Sequence, residues 1–245
     1  MAPRPHRAVL AQAPRRRAHR AHPPHPRRLG CHLRLPATNV AQDVDFLASW
    51  AQEEPDGQVL AAVLDIYTGH GHSEQEAIGL RYVSHPDPTV RSEAVFCVSR
   101  EQAARSDAAA SALLGLVHDP EPKVRASVAQ AFGRRFTPDR QLEPAVRDAL
   151  LVLMRDDTLW VRRRAAESLS GYDDRSAPVL DAFLTLLDEE DKDLRLEAAW
   201  ALARRDHPRT EEAYERVGPL DAFSEHDHRT SGLWRYRASN RSDQA

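Results

Sequence analysis

The chain has 245 residues, 41% hydrophobic and 6% aromatic, with a net charge of −3 at pH 7. That length supports one sizeable core, and few aromatics among abundant alanine suit helices in close approach, so an all-α fold is expected. Two cysteines, Cys31 and Cys97, argue against a disulfide framework, and apolar runs far short of the roughly 20 residues that cross a bilayer, with no uncharged h-region near the start, point to a soluble cytoplasmic protein without a membrane partner.

Residues 1–42 hold nine arginines and no acid, interspersed with Pro, His and Ala. Without apolar periodicity such a stretch cannot offset its ordering entropy, and a disordered tail is expected. A basic arm for an acidic or nucleic-acid partner and a transit peptide are the functional alternatives. Positions 43–245 carry the balance, 25 basic against 37 acidic residues, so an acidic body follows a basic tail. Residues 43–72 read as two short capping helices, with Val44, Phe46, Leu47 and Trp50 on the first and Val59, Leu60, Val63 and Leu64 on the second, separated by Glu54-Pro55-Asp56-Gly57. Ser73 and Glu76 have the spacing of a capping box, and regular repeats begin there.

Four ten-residue segments, led by Val90, Val124, Val161 and Leu194, share one pattern: arginine next, small or apolar residues at offsets four and five, a small residue at seven and a larger apolar one at eight. This is helical spacing, and intervals of 34, 37 and 33 residues fit one helical hairpin per repeat. The partner helices precede each copy, through Leu80 and Val83, Leu113 to Val117, Leu150 to Met154, and Phe183 to Leu187. Between the two helices lie Pro- or acid-rich turns: His85-Pro86-Asp87-Pro88, His118-Asp119-Pro120-Glu121-Pro122, Asp156-Asp157 and Asp188-Glu189-Glu190-Asp191. One further helix is expected over 210–217, closing a repeat region of 73–217. Residues 218–245 read as a polar tail that folds back in part through Phe223, Leu233 and Trp234.

Paired helices with an Asp-Pro turn, then Val-Arg and small residues at offsets four, five and seven, resemble HEAT repeats, particularly the short bacterial type related to phycobilin-lyase repeats. The resemblance implies a right-handed α-solenoid of stacked hairpins, HEAT/armadillo-like. It also implies that Arg91, Arg125, Arg162 and Arg195 form a structural ladder bridging to turn acids of the same or preceding repeat, with Asp87, Glu121 and Asp157 as candidates.

If offsets zero, four, seven and eight face the core, offsets two, three, six and ten form a concave wall open to a ligand. The wall candidates are Glu93, Phe96, Arg100, Gln130, Arg134, Arg163, Arg164, Glu167, Glu197, Trp200 and Arg204, together with Ser92, Ala126, Ser127, Gly171 and Leu196. Phe96 and Trp200 are the anchor candidates, since aromatic and arginine side chains dominate interface energies. Arg163 is expected to face solvent and to matter little for stability. The enzyme alternative is an alkylpurine DNA glycosylase-like or nucleic-acid-binding protein, for which Asp156, Asp157, Trp160 and Arg162 to Arg164 offer suitable residue types; a net acidic body argues against it. No catalytic residue matches the phycobilin lyases. His70 with His72, and His226 with His228 and Asp227, lack a third cluster for a metal site, and the acids from Asp188 to Asp193 read as a solvated turn. The reading is a non-catalytic scaffold for a protein or peptide, with no cofactor and no metal.

Overall fold

The computed structural model describes residues 40–69, 74–99, 106–133, 142–220, 223 and 226–242. Nearly all of the expected basic tail, together with Arg100, Arg134, His70, His72 and Ser73, lies outside the described residues. Twelve α-helices run through the described part, with no strand. They are α1 (Val40–Glu53), α2 (Gly57–Gly69), α3 (Gln75–Tyr82), α4 (Pro88–Val98), α5 (Asp107–Gly115), α6 (Pro122–Gly133), α7 (Pro144–Leu153), α8 (Leu159–Ser170), α9 (Ala177–Leu186), α10 (Lys192–Ala203), α11 (Thr210–Val217) and α12 (His228–Ser242). A short 3-10 turn, Leu116–His118, extends α5. The even-numbered helices stack in sequence from α2 to α12 as an inner layer, and α3, α5, α7 and α9 form an outer one. This is an α-solenoid.

Helix starts are set locally. The Asp56 carboxylate accepts from the amides of Gln58 and Val59, Asp87 from Thr89 (2.7 Å), Ser106 from Ala109 (3.1 Å) and Asp191 from Leu194 (3.0 Å). Each satisfies an amide that the first turn leaves free. Pro88, Pro144 and Pro178 occupy first turns, where no amide is missed.

The helical columns are the core. Val90, Val124, Val161 and Leu194 at offset zero are fully buried, as are Ala94, Val128, Ala165 and Ala198 at four and Val95, Ala129, Ala166 and Ala199 at five. Small residues permit close stacking: a Cβ on Gly133 would overlap Ser168, and one on Gly79 would sit 2.7 Å from that of Cys97. Burial pushes the Cys97 thiol up to about 12, so it behaves as a small apolar group beside Thr68.

The ends depart from the sequence reading. In the first hairpin Leu47, Leu60, Val63 and Leu64 are buried, but Phe46 (64% exposed), Trp50 and Val59 face out, since among the described residues this hairpin has a neighbour on one side only. At the other end α11 stops at Gly218 (φ +84°), and the stretch expected as a polar tail contains α12; Leu233 is fully buried, in line with the expected fold-back. Trp234 stays exposed.

Candidate binding surface

The arginine that follows each leading Val or Leu ties consecutive turns together. Arg91 donates through Nη1 to the carbonyls of His85 and Pro86 in its own turn (both 2.9 Å), and through Nε and Nη2 to the Asp119 carboxylate in the next (2.7 and 2.8 Å). Arg125 repeats this with the carbonyls of Asp119 and Pro120 and the carboxylate of Asp156 (2.6 and 2.8 Å). Arg162 binds the carbonyls of Asp156 and Asp157 and pairs with Glu189 at 3.2 Å. Arg195 binds the carbonyls of Glu189 and Glu190, and its buried Nε has no partner.

The ladder therefore exists but runs forward. Its acids belong to the following repeat, five residues before that repeat's leading residue, and not to the same or preceding one. Of the acids expected, Asp87 caps α4, and Asp157 touches Arg125 of the preceding repeat while 90% of its side chain stays exposed. The position five before Val90 holds His85, which fits: α2 carries no arginine that could reach for an acid there. Burial opposes ionisation of Asp119 and Asp156, yet hydrogen bonds from Arg91 and Arg125 outweigh it and hold both carboxyls below the usual carboxylate range.

Several wall candidates are not open. Offset two packs between inner helices: the Ser92 hydroxyl meets that of Ser127, at offset three of the next repeat, at 2.8 Å, and Leu196 is fully buried. Arg163 forks onto the Asp191 carboxylate and reaches Asp193 at 3.1 Å, so it is a half-buried cross-brace between α8 and the start of α10 and not a free wall residue. Phe96 and Glu197 are each 5% exposed. Both must be withdrawn as free wall positions, since a helical offset identifies a face but not what covers it.

Trp200 is half-buried under α12. A Cβ on Gly232 would overlap its indole, and the His228 ring stands edge-on to it at 6.1 Å. Glu197 beside it accepts from the Ser170 hydroxyl and from Arg229 (2.9 Å), which also forks onto Asp227. Burial opposes the charge on Arg229, but the two carboxylates prevail and raise its pKa. Arg204 donates to the Ser170 carbonyl at 2.8 Å and lies 5.8 Å from the Trp200 ring.

What remains open is concentrated on α8. Leu159 (38%) and Trp160 (43%) are exposed at its start; Arg164 and Glu167 follow on the same stripe, paired with each other at 2.7 Å. Lys123 is exposed and Glu93 and Gln130 half-buried on the neighbouring inner helices. The glycosylase candidates do not assemble: Asp156 belongs to Arg125, and Arg162 and Arg163 are tied to the next turn. Among the described residues no three of His, Cys, Asp and Glu gather at metal-binding distance, and no helix there is long and apolar enough to cross a membrane.

One buried cation escaped the sequence reading. Arg205 is 4% exposed and donates to the carbonyls of Leu169, Tyr172, Asp174 and Ala201, with its guanidinium 5.1 Å from the Phe183 ring. Burial brings its pKa down to about 10. It clamps the ends of α8 and α10 to the intervening loop, a role invisible in a list of exposed charges.

A family model for HEAT repeats matches the chain twice, over residues 44–133 and 110–203. A comparison with curated proteins returned no match. Among solved structures, two engineered proteins share 17% identity, with TM-scores of 0.46 and 0.43 over 80% and 84% of this chain and 89% and 92% of theirs. A chain in the structure of the Pds5–Scc1 complex superposes with a TM-score of 0.52 at 13% identity, over 73% of this chain and 32% of its own length. That likeness is one of fold. The class is thus a solenoid of stacked helical hairpins, and with matches from residue 44 to 203 the chain belongs to the HEAT-repeat family.

Proposed function

We propose that the chain is a non-catalytic cytoplasmic scaffold that binds a protein or peptide on the concave face of its inner helices, centred on α8. The observation that carries this is the exposed Leu159-Trp160 pair. Its counterparts in the other repeats are Pro88-Thr89, Pro122-Lys123 and Lys192-Asp193. A departure from the repeat that leaves 43% of a large indole exposed costs hydration free energy. At an interface the same side chain is the commonest kind of anchor.

Arg164 and Glu167 support the reading, because an exposed pair of this kind adds little to stability and is free to exchange partners. The Pds5–Scc1 neighbour is itself part of a protein–protein complex. The charge balance, 25 basic against 37 acidic residues over 43–245, disfavours a phosphate backbone as ligand.

The test is affinity capture with the full chain, compared with Trp160→Ala and Arg164→Glu. Proteins retained by the wild type should be lost from both variants while their melting temperatures stay within a degree or two. Equal retention by all three would remove α8 from the binding site. Salt-dependent DNA binding abolished by Arg164→Glu would move the assignment to nucleic acid.

A further inference from the structure

The C-terminal end of the inner layer is built differently from its middle. Between regular repeats the contacts toward the next inner helix come from offsets two and five: Ser92 to Ser127, and the Ala129 carbonyl to the Ser168 hydroxyl. Toward α12, α10 uses offsets three and six, Glu197 and Trp200. In α8 the residues at these two offsets, Arg164 and Glu167, are exposed. So α12 continues the inner layer and in doing so covers, on α10, the stripe that α8 leaves open. It lies across the last stretch of the face that a ligand would use.

The chemistry of that stretch is specific. Glu197 is a buried carboxylate already oriented by Ser170, and it takes its cation from Arg229. Trp200 presents a surface that admits no side chain larger than hydrogen at position 232. Leu233, next in the chain, is fully buried in the core against which Trp200 packs. Arginine, then glycine and leucine three and four residues later, lie on one face of a helix. The hold is also weak by the standard of the repeats. Leu233 is the one fully buried aliphatic side chain that α12 brings among the described residues, whereas α10 buries Leu194, Leu196, Ala198, Ala199, Ala201 and Leu202 completely. Tyr236 packs on the edge of the core and Gly232 and His228 on Trp200, and the rest of the contacts are charged or polar; a partner offering the same groups can replace them at little net cost.

We infer that this end of the wall is a receptor groove for an arginine-bearing helix of a partner protein, and that α12 is its displaceable internal occupant. The inference extends the α8 reading to a second stretch of the same wall. The partner helix carries Arg at the Glu197 position, Gly against Trp200 and Leu next to it, and it enters when α12 leaves. Partner binding is thereby gated by the chain's own C-terminal helix.

The experiment uses the full chain and a synthetic peptide of residues 226–242 as the probe. Gly232→Leu drives a side chain into the Trp200 ring and releases α12 without altering the wall. That chain should bind the peptide at least about 10-fold more tightly than the wild type, whose own helix competes at a local concentration in the millimolar range. A peptide carrying Arg229→Glu should not bind. Arg229→Glu in the full chain, which opposes Glu197 with a second carboxylate, is the alternative releasing variant should Gly232→Leu fail to fold. Hydrogen exchange on the wild type should show α12 opening at least about 10-fold faster than α8.

Three results overturn the inference. One is exchange of α12 only together with the repeats, which makes it a fixed cap; another is indifference of the released chain to the peptide or to its arginine. The third is a wild-type dimer that trades α12 between copies, which would make the occupant a second chain. None of these readouts involves Trp160 or Arg164, so failure here is distinguishable from failure of the α8 site.

Discussion

The middle of the solenoid and its C-terminal end solve the same problem with different chemistry. From α4 to α8 each arginine reaches ahead to an acid in the next turn, and the same two kinds of contact recur in every repeat. At Arg195 the series stops: it finds carbonyls of its own turn but pairs with no acid of a following turn among the described residues. Closure there falls instead to a single-use arrangement, Glu197 with Arg229 and Asp227, and Trp200 against Gly232. Repetition secures the stack, whereas the unrepeated contacts mark the place where the wall is occupied. Leu159 and Trp160 are likewise unrepeated, and they mark where it is open.

Breaking the middle should cost most. Arg205→Ala strands the buried carbonyls of Leu169, Asp174 and Ala201 and should lower stability by about 3 kcal/mol. Denaturant unfolding of the full chain measures this, and a loss below about 1 kcal/mol would deny the clamp its role. Next comes overpacking. Ala129→Leu or Ala166→Leu, both at fully buried positions, should cost about 1 to 3 kcal/mol, and an unchanged melting temperature would mean that the columns are misassigned.

Arg163 and Arg164 sharpen the comparison, being adjacent in sequence and opposite in role. Arg163→Glu sets a carboxylate against Asp191, the cap of α10, and should cost about 1 to 2 kcal/mol. Arg164→Glu should change stability by about 0.5 kcal/mol or less while altering partner binding. The smallest effect is a pH dependence. Asp119 and Asp156 have carboxyls depressed in the folded chain, so their contribution is fully present above the unfolded value of about 4. It is lost as pH falls through the still lower folded values. Asp119→Asn should therefore flatten the acid limb of the stability profile and leave the neutral limb parallel to the wild type.

Much of this architecture was legible in the sequence because the repeat is written four times. Val90, Val124, Val161 and Leu194, with their alanine columns, are core residues by spacing alone, and the turns carry their own caps. The ladder was recognised but given the wrong acids, because acids three or four residues before each arginine are close in sequence. The true partners, Asp119, Asp156 and Glu189, are some 27 to 31 residues away in contact and sit at a fixed turn position that only stacking brings within reach. Helix α12 left no periodic signal, since a polar helix with Leu233 as its buried aliphatic anchor looks like a tail. Phe96, Glu197 and Trp200 lay on the correct helices, but coverage by a neighbouring element is not encoded in offsets. The open stripe was only half read: Arg164 and Glu167 came from the wall columns, whereas Trp160 lies one position ahead of the repeated segment and was weighed only for DNA chemistry.

Hydroxyl-radical footprinting of the tryptophans tests the contrast between open and occupied wall most directly. In the wild-type chain Trp160 should be readily oxidised and Trp200 protected, and Gly232→Leu should make Trp200 as reactive as Trp160 without changing Trp160. Equal reactivity of the two in the wild type, or continued protection of Trp200 in the variant, would contradict a wall that is open at α8 and closed by α12.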